Sequence, residues 1–187
     1  MKRVLVERGA SRLILWESFL ERGLVSHLAN AIDWKQHHIK LFGKEVSEPR
    51  LSAWYGPEYT YSGVTRNAAE IPLILLEIMD RLNAELQFSF NSVLCNYYRN
   101  GKDSMGWHSD NEREMDRSLI ASISAEETRN FAVRGTAGFK CKTALNDGDL
   151  LLMEHFQEGF QHSIPKSKRP LEPRINLTFR RIEGVPE

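Results

Sequence analysis

The sequence lacks the features that direct a chain to a membrane or to an oxidising compartment. It has only two cysteines, Cys95 and Cys141, with no pairing pattern, so we expect a reducing compartment. No apolar run reaches the ~18 residues of a membrane span. Glu7 and Arg8 interrupt the first apolar run, which is unlike a secretory signal. We therefore expect a cytoplasmic protein, or a nuclear one in a eukaryote, with no membrane partner.

The chain also lacks an excess of charge of either sign. The 25 lysines and arginines equal the 25 acidic residues, so any nucleic-acid partner would need a local basic patch. Internal repeats, low-complexity segments and linker-like stretches are missing as well. These absences predict a single domain spanning residues 1–187, and a monomer is the default expectation.

Periodicity indicates two helices followed by many short strands. Apolar residues recur at helical spacing over 18–32 and again over 70–86, where Pro72 stands in the first turn. "LILW" at 13–16 indicates a strand, and from residue 90 onward short β-rich runs are separated by turn residues. This order favours an α+β fold with a sandwich or jelly-roll core closed by helices.

The stretch "RINLTFR" alternates strictly between apolar and polar residues, which predicts a half-buried strand. Its polar positions begin with Arg174 and end with Arg180, about 20 Å apart along an extended chain. Leaning together, two such arginines can bind the two ends of a short dicarboxylate. The alternative is an edge strand whose exposed charges discourage aggregation.

"GWHSDNE" places His108 and Asp110 on the same side of an extended segment, where both can bind one metal ion. A third ligand is needed, and His155 and His162 are the candidates. Two histidines and one carboxylate form the facial triad of non-haem iron(II) sites, although these ligand types also admit zinc. A dicarboxylate beside an iron with open positions is the requirement of 2-oxoglutarate chemistry.

Taken together, these motifs resemble the AlkB family of Fe(II)/2-oxoglutarate-dependent nucleic-acid dealkylases, and most closely its DNA-repair subgroup. The resemblance runs from "LFGK" to residue 181 through "LCNYYRNGKDSMGWHSDNE", "GDLLLME", "QHSIPK" and "PRINLTFR". It implies a jelly-roll (double-stranded β-helix) core over about 90–182, flanked by helices, and a nucleotide-recognition lid of hairpins over about 34–65. It also implies Fe(II), the co-substrate 2-oxoglutarate and dioxygen.

The resemblance assigns roles to particular side chains. The metal ligands fall on His108, Asp110 and His162, and His155 matches no ligand. The positions that bind 2-oxoglutarate fall on Asn96, Tyr98, Arg174, Asn176 and Arg180. Arg174 is expected on the distal carboxylate and Arg180 nearer the metal.

On the substrate side, a base in a duplex must be flipped out to reach the iron. The resemblance implies that Tyr59, Tyr61 and Ser62 lie beside the flipped base and that Glu112 contacts its polar edge. Phe42 stands at a predicted turn tip, a suitable position for a wedge that fills the gap left by the base. Lys168 and Arg169 form a basic loop suited to phosphate.

We therefore expect a DNA oxidative demethylase that removes N-methyl groups from 1-methyladenine and 3-methylcytosine, releasing formaldehyde and succinate. The expected partner is alkylated DNA, duplex as well as single-stranded, with RNA as a further candidate. Two alternatives remain open: a related oxygenase that acts on RNA or protein, and a non-catalytic module that binds damaged nucleic acid.

Overall fold

The structure, a computed structural model, describes residues 1–41, 44–61 and 64–183. Its helices are α1 (Val25–Ala31) and α2 (Leu73–Leu86), and a 3-10 turn covers Thr136–Gly138. The strands of the described residues, in chain order, are β1 Lys2–Arg8, β2 Ser11–Trp16, β3 His38–Leu41, β4 Lys44–Ser47, β5 Leu51–Tyr55, β6 Tyr59–Tyr61, β7 Val64–Arg66, β8 Ser92–Tyr98, β9 Met105–His108, β10 Leu119–Glu126, β11 Arg129–Gly135, β12 Lys140–Leu145, β13 Leu150–Glu154, β14 Phe160–Ile164 and β15 Arg174–Arg180.

Two antiparallel sheets form the core. The large sheet has seven strands in the order β1-β2-β13-β10-β15-β8-β5, and the small sheet has four in the order β12-β11-β14-β9. Two separate hairpins, β3–β4 and β6–β7, complete the described strands. One hydrophobic cluster joins Leu94 and Ile120 of the large sheet to Phe131 and Val133 of the small sheet. The architecture confirms the predicted jelly-roll core.

The other face of the large sheet is covered by helices. Leu75 and Leu82 of α2, both fully buried, belong to one cluster with Ile175, Leu177 and Phe179 of β15. The large sheet is therefore buried on both faces, by the small sheet on one side and by helices on the other.

This layering makes "RINLTFR" an interior strand, which excludes the alternative interpretation of its arginines and corrects the expected burial of its polar face. β15 lies between β10 and β8, so the edge-strand alternative is wrong. The expectation of a half-buried strand is also wrong, because its polar face is as buried as its apolar face. Arg174 and Arg180 are each only 1% exposed, and Asn176 and Thr178 are nearly as buried. The polar face of β15 lies against the small sheet, where a site can form.

The helices are shorter than the periodicity predicts, for a local reason in each case. The helix expected over 18–32 forms only at Val25–Ala31, since Ser18 (φ 52°) and Gly23 (φ 85°) both adopt left-handed backbone conformations that interrupt it. The helix expected over 70–86 begins at Leu73, because Pro72 is extended (ψ 144°). α2 ends at Gln87, which is left-handed (φ 51°).

The large sheet extends beyond the range expected for the core. β1, β2 and β5 all belong to it, and β5 pairs with β8 even though it lies inside the range of about 34–65 expected to form a lid. The rest of that range contains the two hairpins, whose action as a substrate lid stays a prediction. Within the described residues, no helix has the length and apolar content needed to cross a membrane.

Gly148 offers a test of how tightly the loop before β13 packs. Its φ is +81°, and a Cβ built there would lie 2.4 Å from the Leu20 carbonyl oxygen. Backbone atoms cannot yield as a flexible side chain can. We predict that Gly148→Ala lowers the free energy of unfolding by about 3 kcal/mol, measured by urea denaturation.

Gly9→Ala is the matched control. Gly9 also has a positive φ, +59°, but a Cβ there meets nothing within 4 Å. For Gly9→Ala, the free energy of unfolding should fall by only about 1 kcal/mol, the cost of the backbone strain. Equal losses for the two variants would contradict the close contact at Gly148.

Candidate active site

The predicted metal ligands converge between the two sheets. His108 ends β9 and lies directly opposite His162 of β14 in the antiparallel pairing. The Nε2 atoms of both histidines are 3.8 Å from Asp110 carboxylate oxygens. One ligand atom from each of the three residues lies within 4.8 Å of the others. His155 does not join this group; it is exposed on the loop after β13.

Neighbouring groups orient these ligands. The Nδ1 atom of His108 is 2.9 Å from the Gly106 carbonyl oxygen. A proton on Nδ1 donates to that carbonyl and leaves the Nε2 lone pair for a metal. The backbone N–H of Asp110 donates to Oε1 of Gln157, a buried side chain, at 3.0 Å. The segment that carries the carboxylate ligand is thereby fixed to the loop before β14.

Burial and charge set the protonation states of the three side chains. Burial lowers the pKa of His162 to about 3, and the adjacent His108 acts in the same direction. Burial also lowers the pKa of His108. Burial alone would raise the pKa of Asp110, but the Arg180 guanidinium helps to hold it below its usual range. At neutral pH the cluster therefore has two neutral imidazoles and one carboxylate, the forms that bind a divalent cation.

The two arginines of β15 have different surroundings. Arg180 donates from Nη2 to Oδ1 of Asp110 at 2.7 Å, and both side chains are 2% exposed. Arg174 donates from Nη2 to the Ser124 hydroxyl at 2.7 Å. Its Nε and Nη1 atoms are buried, and among the described residues they have no hydrogen-bond partner. Burial lowers the pKa of Arg174 to about 10, so the group remains a cation at neutral pH. These buried donors fit a carboxylate ligand.

A row of polar side chains runs across four strands beside these arginines. Ser52 of β5, Asn96 of β8, Asn176 of β15 and Ser124 of β10 are successive register partners. The triad, both arginines and both asparagines line one cavity, together with Tyr98. Its remaining lining residues are Leu94, Met105, Ser122, Phe131, Met153, Ile164 and Thr178.

Comparison with known proteins agrees with this geometry. The family model described as the 2OG-Fe(II) oxygenase superfamily matches residues 18–180. Human alpha-ketoglutarate-dependent dioxygenase alkB homolog 3 is 37% identical over 197 residues, which cover 95% of this chain and 68% of that protein. The chain belongs to the AlkB family of 2OG-Fe(II) oxygenases. It is therefore a dioxygenase that uses Fe(II), 2-oxoglutarate and dioxygen.

One further relative supports this AlkB assignment, and one solved structure shares the fold. Human DNA oxidative demethylase ALKBH2 is 37% identical over 158 residues, covering 77% of this chain and 60% of that protein. The solved structure of OsALKBH1 superposes with a TM-score of 0.66 and covers 96% of this chain and 100% of that one. Its sequence identity is only 16%, so this second likeness concerns the fold alone.

The described structure covers only some of the predicted substrate residues of this AlkB protein. Phe42 and Ser62 lie outside the described residues. Tyr59 and Tyr61 are the first and last residues of β6. Glu112 is half-buried, just after the ligand Asp110.

The basic loop after β14 belongs to a separate groove. Lys168 and Arg169 are exposed and line it together with Asn130 and Leu171. Buried Arg129 anchors the loop by donating to the carbonyl oxygen of Pro165 at 2.9 Å.

Several site residues were not predicted. Ser122 and Ser124 accept hydrogen bonds from β15 side chains, and their alternation with apolar residues in "LIASIS" was a usable signal. The sequence around Gln157 and Arg50 contains no comparable signal, because each forms its hydrogen bond with a residue more than forty positions away in the chain.

The Arg180–Asp110 pair predicts unequal effects of removing two metal ligands. Asp110→Ala and His108→Ala should both abolish Mn(II) binding, measured by electron paramagnetic resonance. Only Asp110→Ala removes one partner of a buried ion pair, so it should lower the stability of the metal-free protein by about 3–5 kcal/mol. His108 is 18% exposed, and as a neutral imidazole it forms no charged pair with Asp110, whose Oδ1 lies 3.8 Å from its Nε2. Equal losses in urea denaturation would contradict the expectation that Asp110→Ala leaves Arg180 as an uncompensated buried charge.

Proposed function

We propose that this oxygenase removes N-methyl groups from DNA bases, with 1-methyladenine and 3-methylcytosine as its substrates. The observation that carries the proposal is the shared cavity, in which a two-histidine, one-carboxylate cluster lies beside buried Arg174, whose Nε and Nη1 have no hydrogen-bond partner among the described residues. The name of the relative ALKBH2, DNA oxidative demethylase, supports DNA as the substrate.

Each polar residue of the cavity has a task in this proposal. His108, Asp110 and His162 would hold the iron. Arg180 orients Asp110 through its 2.7 Å hydrogen bond and keeps the carboxylate ionised. Arg174 binds the distal carboxylate of 2-oxoglutarate.

Three further side chains complete the co-substrate site. Tyr98 lies against Arg174, with the guanidinium carbon 5.2 Å from the ring centroid, and contributes its hydroxyl to the bound diacid. Asn96 and Asn176 flank the diacid from the adjacent strands. Iron, 2-oxoglutarate and dioxygen together would supply the oxidising chemistry, by which the methyl group leaves as formaldehyde and the co-substrate as succinate and carbon dioxide.

In this proposal, residues other than those that hold the iron and 2-oxoglutarate bind the substrate. Tyr59, Tyr61 and Ser62 border the flipped base, and Glu112 contacts its polar edge. Lys168 and Arg169 contact phosphates, which reconciles a nucleic-acid partner with zero net charge because the basic residues are local.

The central test is incubation with methylated oligonucleotides, read by mass spectrometry. Single-stranded DNA, duplex DNA, RNA and a methylated peptide are offered with Fe(II) and 2-oxoglutarate. We expect a 14 Da loss from the DNA substrates, formation of succinate, and neither product with His108→Ala. Turnover of RNA or peptide without turnover of DNA would overturn the DNA assignment. Full turnover by His108→Ala would overturn the metal assignment.

Phe42 provides a separate prediction about duplex substrates. If its ring fills the gap left by a flipped base, Phe42→Ala should reduce repair of duplex DNA at least tenfold more than repair of single strands, since only a duplex has a gap to fill. Initial rates on both substrates measure this. Val46→Ala, at an exposed apolar residue of the same hairpin, is the control. An equal loss on both substrates would count against the wedge.

A further inference from the structure

A buried charged network lies next to the co-substrate cavity, and the mechanism above gives it no task. Arg50, immediately before β5, is 5% exposed and donates from Nε to Oδ1 of Asn96 at 2.7 Å. Its Nη2 lies 3.3 Å from Oε2 of Glu48, which is 2% exposed. The Ser52 hydroxyl donates to the same Glu48 oxygen at 3.3 Å. Arg50 is thus held in place from one side while it binds Asn96 on the other.

This contact fixes the orientation of the Asn96 amide. A primary amide has one acceptor oxygen and one NH2 donor, and a rotation of 180° exchanges them. Because Arg50 can only donate, the oxygen must face it and Nδ2 must face the opposite way. Asn96 lines the cavity, and among the described residues Nδ2 has no acceptor. The orientation set by Arg50 therefore leaves an N–H donor for a ligand.

Asn176, the register partner of Asn96, is arranged differently. Its Nδ2 donates to the Ser122 hydroxyl at 2.8 Å and to the Ile123 carbonyl oxygen at 3.0 Å. Its Oδ1 accepts from the Thr178 hydroxyl at 3.1 Å. The protein itself uses both ends of this amide. Of the two asparagines, Asn96 is the one whose donor remains for an oxygen-rich ligand.

A purely structural role does not account for the network. β5 and β8 are already joined by the antiparallel register that pairs Ser52 with Asn96. A buried arginine–glutamate pair is costly, and apolar residues of similar volume often stabilise a fold as well or better. What such residues cannot do is hold an amide in one of its two orientations. An amide flipped the other way would present its oxygen to an anionic ligand.

We propose that Arg50 is a positioning residue that, supported by Glu48, holds the Asn96 amide with its N–H groups toward 2-oxoglutarate. The proposal rests on the co-substrate role given to Asn96 under the proposed function. It assigns Arg50 no contact with the co-substrate. Its effect on co-substrate affinity must therefore pass entirely through Asn96.

A double-mutant cycle tests this dependence. The dissociation constant of 2-oxoglutarate is measured by calorimetry on Mn(II)-loaded wild type, Arg50→Met, Asn96→Ala and the double variant, without DNA. Each single change should weaken binding about tenfold, the value of one hydrogen bond to a charged ligand. The double variant should also lose only about tenfold, because residues that act as a unit are not additive. Arg50→Lys, which keeps a donor, should recover part of the affinity.

Other measurements separate positioning from a general loss of structure. Mn(II) affinity should stay unchanged in all four proteins, whereas a structural role would weaken metal and 2-oxoglutarate binding together. If Arg50→Met does not fold, Arg50→Met/Glu48→Gln replaces it, since that variant leaves no buried carboxylate without its cation. Arg12→Met is the matched control, because it removes a 3.0 Å pair with Glu154 elsewhere in the same sheet. Its 2-oxoglutarate affinity should equal that of the wild type.

Three results would overturn the proposal: unchanged affinity in Arg50→Met, a loss of about a hundredfold in the double variant, or a parallel loss of Mn(II) binding. Failure of the wild type to bind 2-oxoglutarate would instead contradict the co-substrate assignment itself. The two failures are thus distinguishable in a single set of titrations.

Discussion

The site depends on one buried ion pair, the 2.7 Å contact between Arg180 and Asp110. Arg180 ends β15, an interior strand of the large sheet, and Asp110 follows β9, an edge strand of the small sheet. The pair therefore joins the two layers at the metal ligand itself. A buried pair of this kind adds little net stability, because desolvation offsets the Coulomb attraction. The pair instead fixes the orientation of the Asp110 carboxylate, and it keeps that buried group ionised.

That pair is possible only because β15 is covered on both faces. Helices bury its apolar face, so its polar side chains must lie between the sheets, away from water. Polar groups in such a place are costly unless each finds a partner. The serines of β10 provide partners for Arg174 and Asn176, and the Asn176 amide provides one for Thr178. The strand thus specifies both the packing of the core and the chemistry of the cavity.

Features within short stretches of sequence could be predicted, and features that join distant stretches could not. The two-residue spacing of His108 and Asp110 and the alternation in β15 indicated which side chains share a face. Neither pattern reveals that a second layer covers the other face, which is why β15 was expected to be half-buried. Likewise, Arg50 and Asn96 are hydrogen-bonded although they lie 46 residues apart in the chain, and no local sequence pattern predicts such a contact. Periodicity overestimated the first helix because it does not register the left-handed backbone at Ser18.

The distribution of charge around the cavity indicates where the negative ligand binds. Arg50 forms an ion pair with the Glu48 carboxylate at 3.3 Å, and Arg180 forms one with the Asp110 carboxylate at 2.7 Å. Arg174 is as buried as either, yet among the described residues no carboxylate pairs with it. A fold would rarely retain a buried guanidinium in this state for stability alone. Under the proposed function, a carboxylate of the co-substrate would complete the pairing at Arg174. The other end of the diacid would then be free to reach toward the metal cluster.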